Sequence, residues 1–175
     1  MRREYSEYTA DYISGCMSLR KPQKRSLKIL ADILDEVELA KDIDLDKALR
    51  DVHDMYPTCS NFERDFMSLT FALATGVGKT RLMGAFITYL YTQKGIKNFF
   101  VVAPNLTIYE KLKQDLGNPS SEKYVFRGIG CFKSVLPNLI TGENYREKGM
   151  MGGFSDVTIN VFNISKFNRE LGRIR

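Results

Sequence analysis

Apolar residues recur along the chain with two different periods. In "QKRSLKILADILDEVEL", from Gln23 to Leu39, the residues Leu27, Leu30, Ile33 or Leu34, and Val37 fall three and four apart. That is the stripe of an amphipathic helix, and Pro22 just before it suits a helix start. The stretch "DIDLDKALRDVHDMYPTCSNFERDF" predicts a further helix and then a connector, broken at Pro57, Thr58, Ser60 and Asn61. Beyond it the order becomes regular. An apolar run, Met67 to Ala74, is followed by a helix from Lys79 to Lys94 with Leu82, Phe86 and Leu90 on one face. A second apolar run, Phe99 to Ala103, leads into a helix from about Leu106 to Leu116. A third short strand is expected at "KYVFRGI", Lys123 to Ile129, and a fourth at "VTINVFNI", Val157 to Ile164. Between these two, "TGENYREKGMMGGFSD" reads as loop or hairpin from Gly142, Gly149, Gly152 and Gly153.

Strands that alternate with helices of this length imply right-handed βαβ units and a parallel sheet covered on both faces, an α/β class. The expected organisation is an N-terminal helical segment over residues 1–61 and an α/β part over residues 62–175. No internal repeat or low-complexity segment interrupts it.

At 175 residues with 43% hydrophobic side chains, the chain can bury one good core. No apolar run approaches the ~18 residues that span a bilayer, and "MRREYSEYTADY" lacks a signal-peptide core, so a soluble, cytoplasmic protein is expected, with no membrane partner. Cys16, Cys59 and Cys131 lie far apart without metal or disulfide spacing and read as free or buried thiols. His53 sits among acids and reads as a surface or boundary residue, so no histidine-based nucleophilic site can be built. A net charge of +5 suits a polyanionic partner, although lysines and arginines are spread along the chain.

The chemistry concentrates in "LTFALATGVGKTRLMGAF", Leu69 to Phe86, where an apolar run turns into a helix through Thr75, Gly76, Val77, Gly78, Lys79, Thr80 and Arg81. Gly76 and Gly78 allow backbone angles and close approach that a side chain forbids. The exposed amides and the positive end of the following helix form an anion site suited to a di- or triphosphate. Lys79 would reach the β and γ phosphates, and the Thr80 hydroxyl would join the octahedral shell of Mg²⁺. Lys79 and Thr80 are thus the catalytic candidates, with Thr80 the metal contact. The full Gly-x-x-x-x-Gly-Lys-[Ser/Thr] pattern needs glycine at position 73, where this chain has Leu73.

That departure matters for kinship. "ATGVGKT" resembles motif I of superfamily 2 helicases and translocases, in which the first glycine is commonly replaced. "LRKPQKRSL" resembles the Leu-Arg-x-x-Gln element of that superfamily, which implies that Gln23 contacts adenine. "FFVVAPNLTIYEKLKQDL" resembles motif Ia, which brings a helix N-terminus to the nucleic-acid backbone. Either Asn105 caps this helix, or Thr107 does so with Glu110 as a capping box. Asn105, Leu106 and Thr107 are the DNA-contact candidates, and Asn163, with Ser165 at the exit of the fourth strand, is a looser one. Such contacts position a strand without reading its sequence.

Together these stretches look most like the Res (helicase/endonuclease) subunit of type III restriction enzymes, over about Leu19 to Asn168. The resemblance implies a three-layer RecA-like P-loop NTPase domain with a mostly parallel sheet, preceded by N-terminal helices. It further implies ATP and Mg²⁺ as cofactors, and double-stranded DNA and a modification (methyltransferase) subunit as partners. It also implies translocation on DNA before cleavage by a separate nuclease domain.

Phosphoryl transfer to water needs an apolar strand ending in Asp-Glu, and none follows Thr80. "DILDEV" contains Asp35 and Glu36 but has helical spacing and precedes the loop. A second RecA-like half and a nuclease cluster are missing too, so the chain is expected to be the N-terminal part of a longer enzyme and inactive alone. Two alternatives stand beside this reading: another superfamily 2 DNA or RNA helicase, or a non-catalytic nucleotide-binding scaffold. A GTPase is disfavoured, since no guanine-reading Asn-Lys-x-Asp occurs.

Overall fold

The computed structural model describes residues 7–148 and 155–164. The helices are α1 (Ala10–Cys16), α2 (Lys21–Glu36), α3 (Leu45–Met55), α4 (Lys79–Lys94), α5 (Leu106–Gly117), α6 (Cys131–Ser134) and α7 (Tyr145–Lys148). The strands are β1 (Asn98–Ala103), β2 (Asn138–Thr141) and β3 (Thr158–Asn163). They form one parallel sheet in the order β1-β3-β2, with Ala103 opposite Asn163 and Thr141 opposite Val161. The crossover from β1 through α5 to β2 leaves room for β3 in the middle, and α5 lies against all three strands.

Burial explains why these segments order. Val101 and Ala103 of β1 and Ile159 and Val161 of β3 point into one core with Leu82, Ala85 and Tyr89 of α4 and Tyr109, Leu112 and Leu116 of α5. α2 packs on the far side of α4 and contributes Leu27, Leu30, Ala31 and Leu34 to the same core. Its Ile33 and Val37 face a second cluster with Ala48, Val52 and Phe62. α4 ends on Gly95, whose φ of +71° lets the N–H of Ile96 reach the Leu90 carbonyl. This left-handed glycine cap stops the helix at Lys94, with three residues left before β1 begins. Inside α4, a Cβ added to Gly84 would lie 2.7 Å from Val125 Cβ, so the helix reaches the Tyr124–Phe126 stretch only because that residue has no side chain.

Three expectations change. The run Met67 to Ala74 is extended, and Leu69, Phe71 and Leu73 are half-buried while Thr70, Ala72 and Ala74 are exposed, but it joins no sheet among the described residues. Its alternation satisfies the side chains, yet a strand also needs a neighbour for its ladder. Hollows of about 430 and 590 Å³ lie on its flanks, one against α2 and α3 and the other between Phe66–Met67 and β1. The segment Lys123 to Ile129 forms turns instead of a strand. Its Tyr124, Val125, Phe126 and Ile129 are buried by packing within the helical layer, so their hydrophobicity is met without a ladder. Among the described residues the sheet is covered on one face, by α5, while Phe100 and Val102 on the other are 57% and 46% exposed. Phe100 there stacks on Phe162 at 5.4 Å.

The turn after β2 is pinned to α5 by a small polar network. The Tyr109 hydroxyl donates to Glu143 at 2.6 Å and accepts from the Gly142 N–H, and Lys113 lies 3.5 Å from the same carboxylate. Burial pushes the Glu143 carboxyl up, but the Tyr109 and Thr141 hydrogen bonds and the Lys113 charge outweigh it and bring the pKa down from 4.5 to about 2. The folded-state value is depressed, so the stabilisation is complete above the unfolded value near 4.5 and is lost as pH falls toward 2. Because the side chain is 53% exposed, we expect less than about 1 kcal/mol from it. Urea denaturation at a series of pH values checks this: Glu143→Gln should lower the neutral plateau by less than about 1 kcal/mol, flatten the acid limb below pH 4.5 and leave stability near pH 2 nearly unchanged.

Candidate nucleotide site

The loop between the extended segment and α4 is shaped by two left-handed glycines, Gly76 with φ +80° and Gly78 with φ +92°. Gly78 is the N-cap of α4 and supplies no side chain to cap it. The Leu82 N–H already bonds to the Gly78 carbonyl, at 3.2 Å, which leaves the N–H groups of Lys79, Thr80 and Arg81 as the orphan donors of the first turn. α4 runs for 16 residues, so a full macrodipole stands behind those donors.

The side chains complete a cationic hollow. Lys79 is exposed and its Nζ donates to the Ala74 carbonyl at 3.1 Å, so the ammonium bends back across the loop. Thr80 is half-buried in the first turn of α4. Thr75 and Gly76 are exposed and Val77 is half-buried. A Cβ on Gly76 would meet nothing within 4 Å, so the mouth of the loop is open. These features fit a polyphosphate: free amides, one exposed ammonium and a hydroxyl. For Mg²⁺ the described part of the loop's helix offers the Thr80 hydroxyl, and the described residues hold no cluster of three or more acidic, histidine or cysteine side chains. A magnesium ion would therefore come with the phosphates, as its preference for keeping water and phosphate oxygens allows.

Gln23 and Arg81 lie at this loop, but both already have partners in the protein. Gln23 is only 2% exposed: its Oε1 accepts from the Arg20 N–H at 2.8 Å and its Nε2 donates to the Gly78 carbonyl at 2.8 Å. Arg81 Nε donates to the Met17 carbonyl at 2.7 Å. Sequence reasoning passed over Arg20, whose Nη1 approaches the Gly76 carbonyl at 3.4 Å. The available signal was its place in "LRKPQ", three residues before Gln23.

The remaining candidates stand apart, at the carboxyl ends of β1 and β3. Asn105 is the N-cap of α5 and accepts from the Ile108 N–H at 2.9 Å, which decides between the two caps. Leu106 and Thr107 beside it are exposed, Leu106 by 64%. Asn163 is opposite Ala103 in the ladder, but its side chain is 5% exposed and so is not on the surface that Asn105 and Thr107 share. Ser165 lies outside the described residues. Asp35 is on the surface of α2 in an ion pair with Lys94 at 3.0 Å, and His53 is exposed with its ring on the Cys59 carbonyl. Cys16, Cys59 and Cys131 are free thiols.

A parallel α/β sheet, with a Gly-x-Gly-Lys-Thr loop opening onto a long helix and a capped helix at the strand exits, defines a P-loop nucleotide-binding domain of the helicase kind. The family model for the type III restriction enzyme res subunit matches residues 16–174, and the chain belongs to that family. It carries an incomplete RecA-like domain, a helicase-like ATP-binding domain. No curated protein and no solved structure matches the chain. Among the described residues no helix is long and apolar enough to cross a membrane.

Proposed function

We propose that this chain supplies the ATP-binding face of a DNA translocase of the restriction type, acting with a modification subunit on double-stranded DNA. The observation that carries the reading is the loop at Thr75–Arg81: orphan amides, the exposed Lys79 ammonium and Thr80 meet at one helix N-terminus. In that role the amides and Lys79 hold the β and γ phosphates, and Thr80 contributes a hydroxyl to the accompanying Mg²⁺. Bound triphosphate supplies the phosphoryl group whose presence or absence drives movement of one domain half against another. Asn105–Thr107, at the exit of β1, would hold a DNA phosphate on the spare amides of α5. Among the described residues no strand ends in an Asp-Glu pair, so hydrolysis is not assigned to these residues.

Titration calorimetry of the chain with ATP, with and without Mg²⁺, tests the nucleotide half of the proposal. The expected result is weak binding that strengthens with Mg²⁺ and no turnover. Duplex binding by fluorescence anisotropy tests the other half, since phosphate contacts predict an affinity that falls steeply with salt. Salt-independent binding of a protein partner, unchanged by Lys79→Ala, would instead favour a scaffold.

A further inference from the structure

The corner where α1 hands over to α2 touches the phosphate loop at three points. Arg81 Nε reaches the Met17 carbonyl at 2.7 Å, Gln23 Nε2 reaches the Gly78 carbonyl at 2.8 Å, and Arg20 Nη1 reaches the Gly76 carbonyl at 3.4 Å. Two of these bonds grip carbonyls inside the loop. A trans peptide is planar, with its C=O and the next N–H pointing in opposite directions. The Gly78 carbonyl accepts from both the Leu82 N–H at 3.2 Å and Gln23 Nε2 at 2.8 Å. Gln23, together with the first helical bond of α4, therefore turns the Lys79 N–H the other way, out of the helix N-terminus. Holding the Gly76 carbonyl toward Arg20 does the same, more loosely, for Val77. The residues that pull are thus on the opposite side of the loop from the amides they aim.

We propose that Gln23 is a positioning residue of the phosphate loop, which fixes the direction of the Lys79 amide through the Gly78 carbonyl and acts on phosphate affinity, whatever base is attached. This rests on the nucleotide reading of the same loop. Three features argue for it. Gln23 is buried, and both ends of its amide are engaged within the protein. The fit around it is tight: a Cβ on Gly78 would come within 2.6 Å of Gln23 Nε2. The bond joins residues 55 apart in sequence, so it sets tertiary geometry as well as the start of α2.

Gln23 also caps α2 through the Arg20 N–H, and the test must separate the two roles. Gln23→Glu keeps an oxygen for that cap, since Glu serves well at this position of a capping box, but it replaces the donor facing Gly78 with an acceptor. Gln23→Met removes both bonds without adding charge. Binding of tripolyphosphate, Mg·ATP and Mg·GTP is measured for the wild-type chain and both variants, and the Lys79 amide shift and exchange rate are measured by NMR without ligand. We expect both variants to lose all three ligands by the same factor, about tenfold, as the loss of one aligned charge-assisted amide contact predicts. The Lys79 amide should shift and exchange faster in both. Wild-type affinity in Gln23→Glu would show that Gln23 only caps α2. Loss confined to ATP, with tripolyphosphate and GTP unaffected, would make it a base reader. Either result overturns the proposal, as does an unmoved Lys79 amide. If the wild-type chain bound none of the three ligands, the nucleotide reading would fall, and the amide comparison would still decide whether Gln23 orients the loop.

Discussion

Lys79→Ala is expected to weaken binding of Mg·ATP by about 10- to 150-fold, the range of a hydrogen-bonded charge worth 1.5–3 kcal/mol. Two terms compete. The ammonium gives up its bond to the Ala74 carbonyl when it turns to a phosphate, but that bond is to a neutral, exposed acceptor and is worth less than a contact with a polyanion. The gain therefore wins, with the lower end of the range the better guide. Because Lys79 is exposed, the fold should not register its loss, and the melting temperature should stay within about 2 °C. Calorimetry with Mg·ATP and tripolyphosphate, set beside a thermal melt, checks both statements. Equal affinity in the variant would remove Lys79 from the site.

The largest stability loss is expected at Phe126→Ala. Phe126 is 2% exposed and meets Phe132 and Tyr124 edge-on, with ring centroids 4.7 and 5.6 Å apart. Truncating a buried phenylalanine costs about 3–5 kcal/mol, with the aromatic contacts favouring the upper part. Against a total stability of about 5–15 kcal/mol this is enough to leave a visible unfolded fraction under mild conditions. Phe66→Ala is the control: at 63% exposure it should change stability by no more than about 0.5 kcal/mol. Urea midpoints of the two variants would contradict the assignment of the core if they moved by similar amounts.

That contrast also shows how far the sequence could be read. The pattern places α4, β1, α5 and β3 to within a residue or so, because each is a local property: a stripe, a short apolar run, a cap or a glycine stop. It misplaces "KYVFRGI", because a buried aromatic run looks the same whether a ladder or a packed turn satisfies it. It misses β2, whose four residues follow Pro137 and acquire strand character only by pairing with β3 from later in the chain. The short helix α1 also escaped notice, since seven residues carry little periodicity. For the site, the loop itself was legible because glycine, lysine and threonine at fixed spacing carry the chemistry. The ties from Met17, Arg20 and Gln23 were not, because they join residues more than 50 positions apart and two of the three use backbone carbonyls of the glycines.

The extended segment before the loop has one more consequence. On its far side the phosphate loop continues into α4, a helix with a closed backbone ladder and a buried face. On its near side it continues from Leu69–Ala74, whose backbone N–H groups have no backbone acceptor among the described residues and which is held by the packing of Leu69, Phe71 and Leu73 and by the bond from Lys79 to the Ala74 carbonyl. The loop is therefore a stiff spring joined in series to a soft one, and strain applied at the loop distributes toward the compliant end. An anion drawn onto the Lys79–Arg81 amides would leave α4 where it is and take up slack in the residues that lead into Thr75.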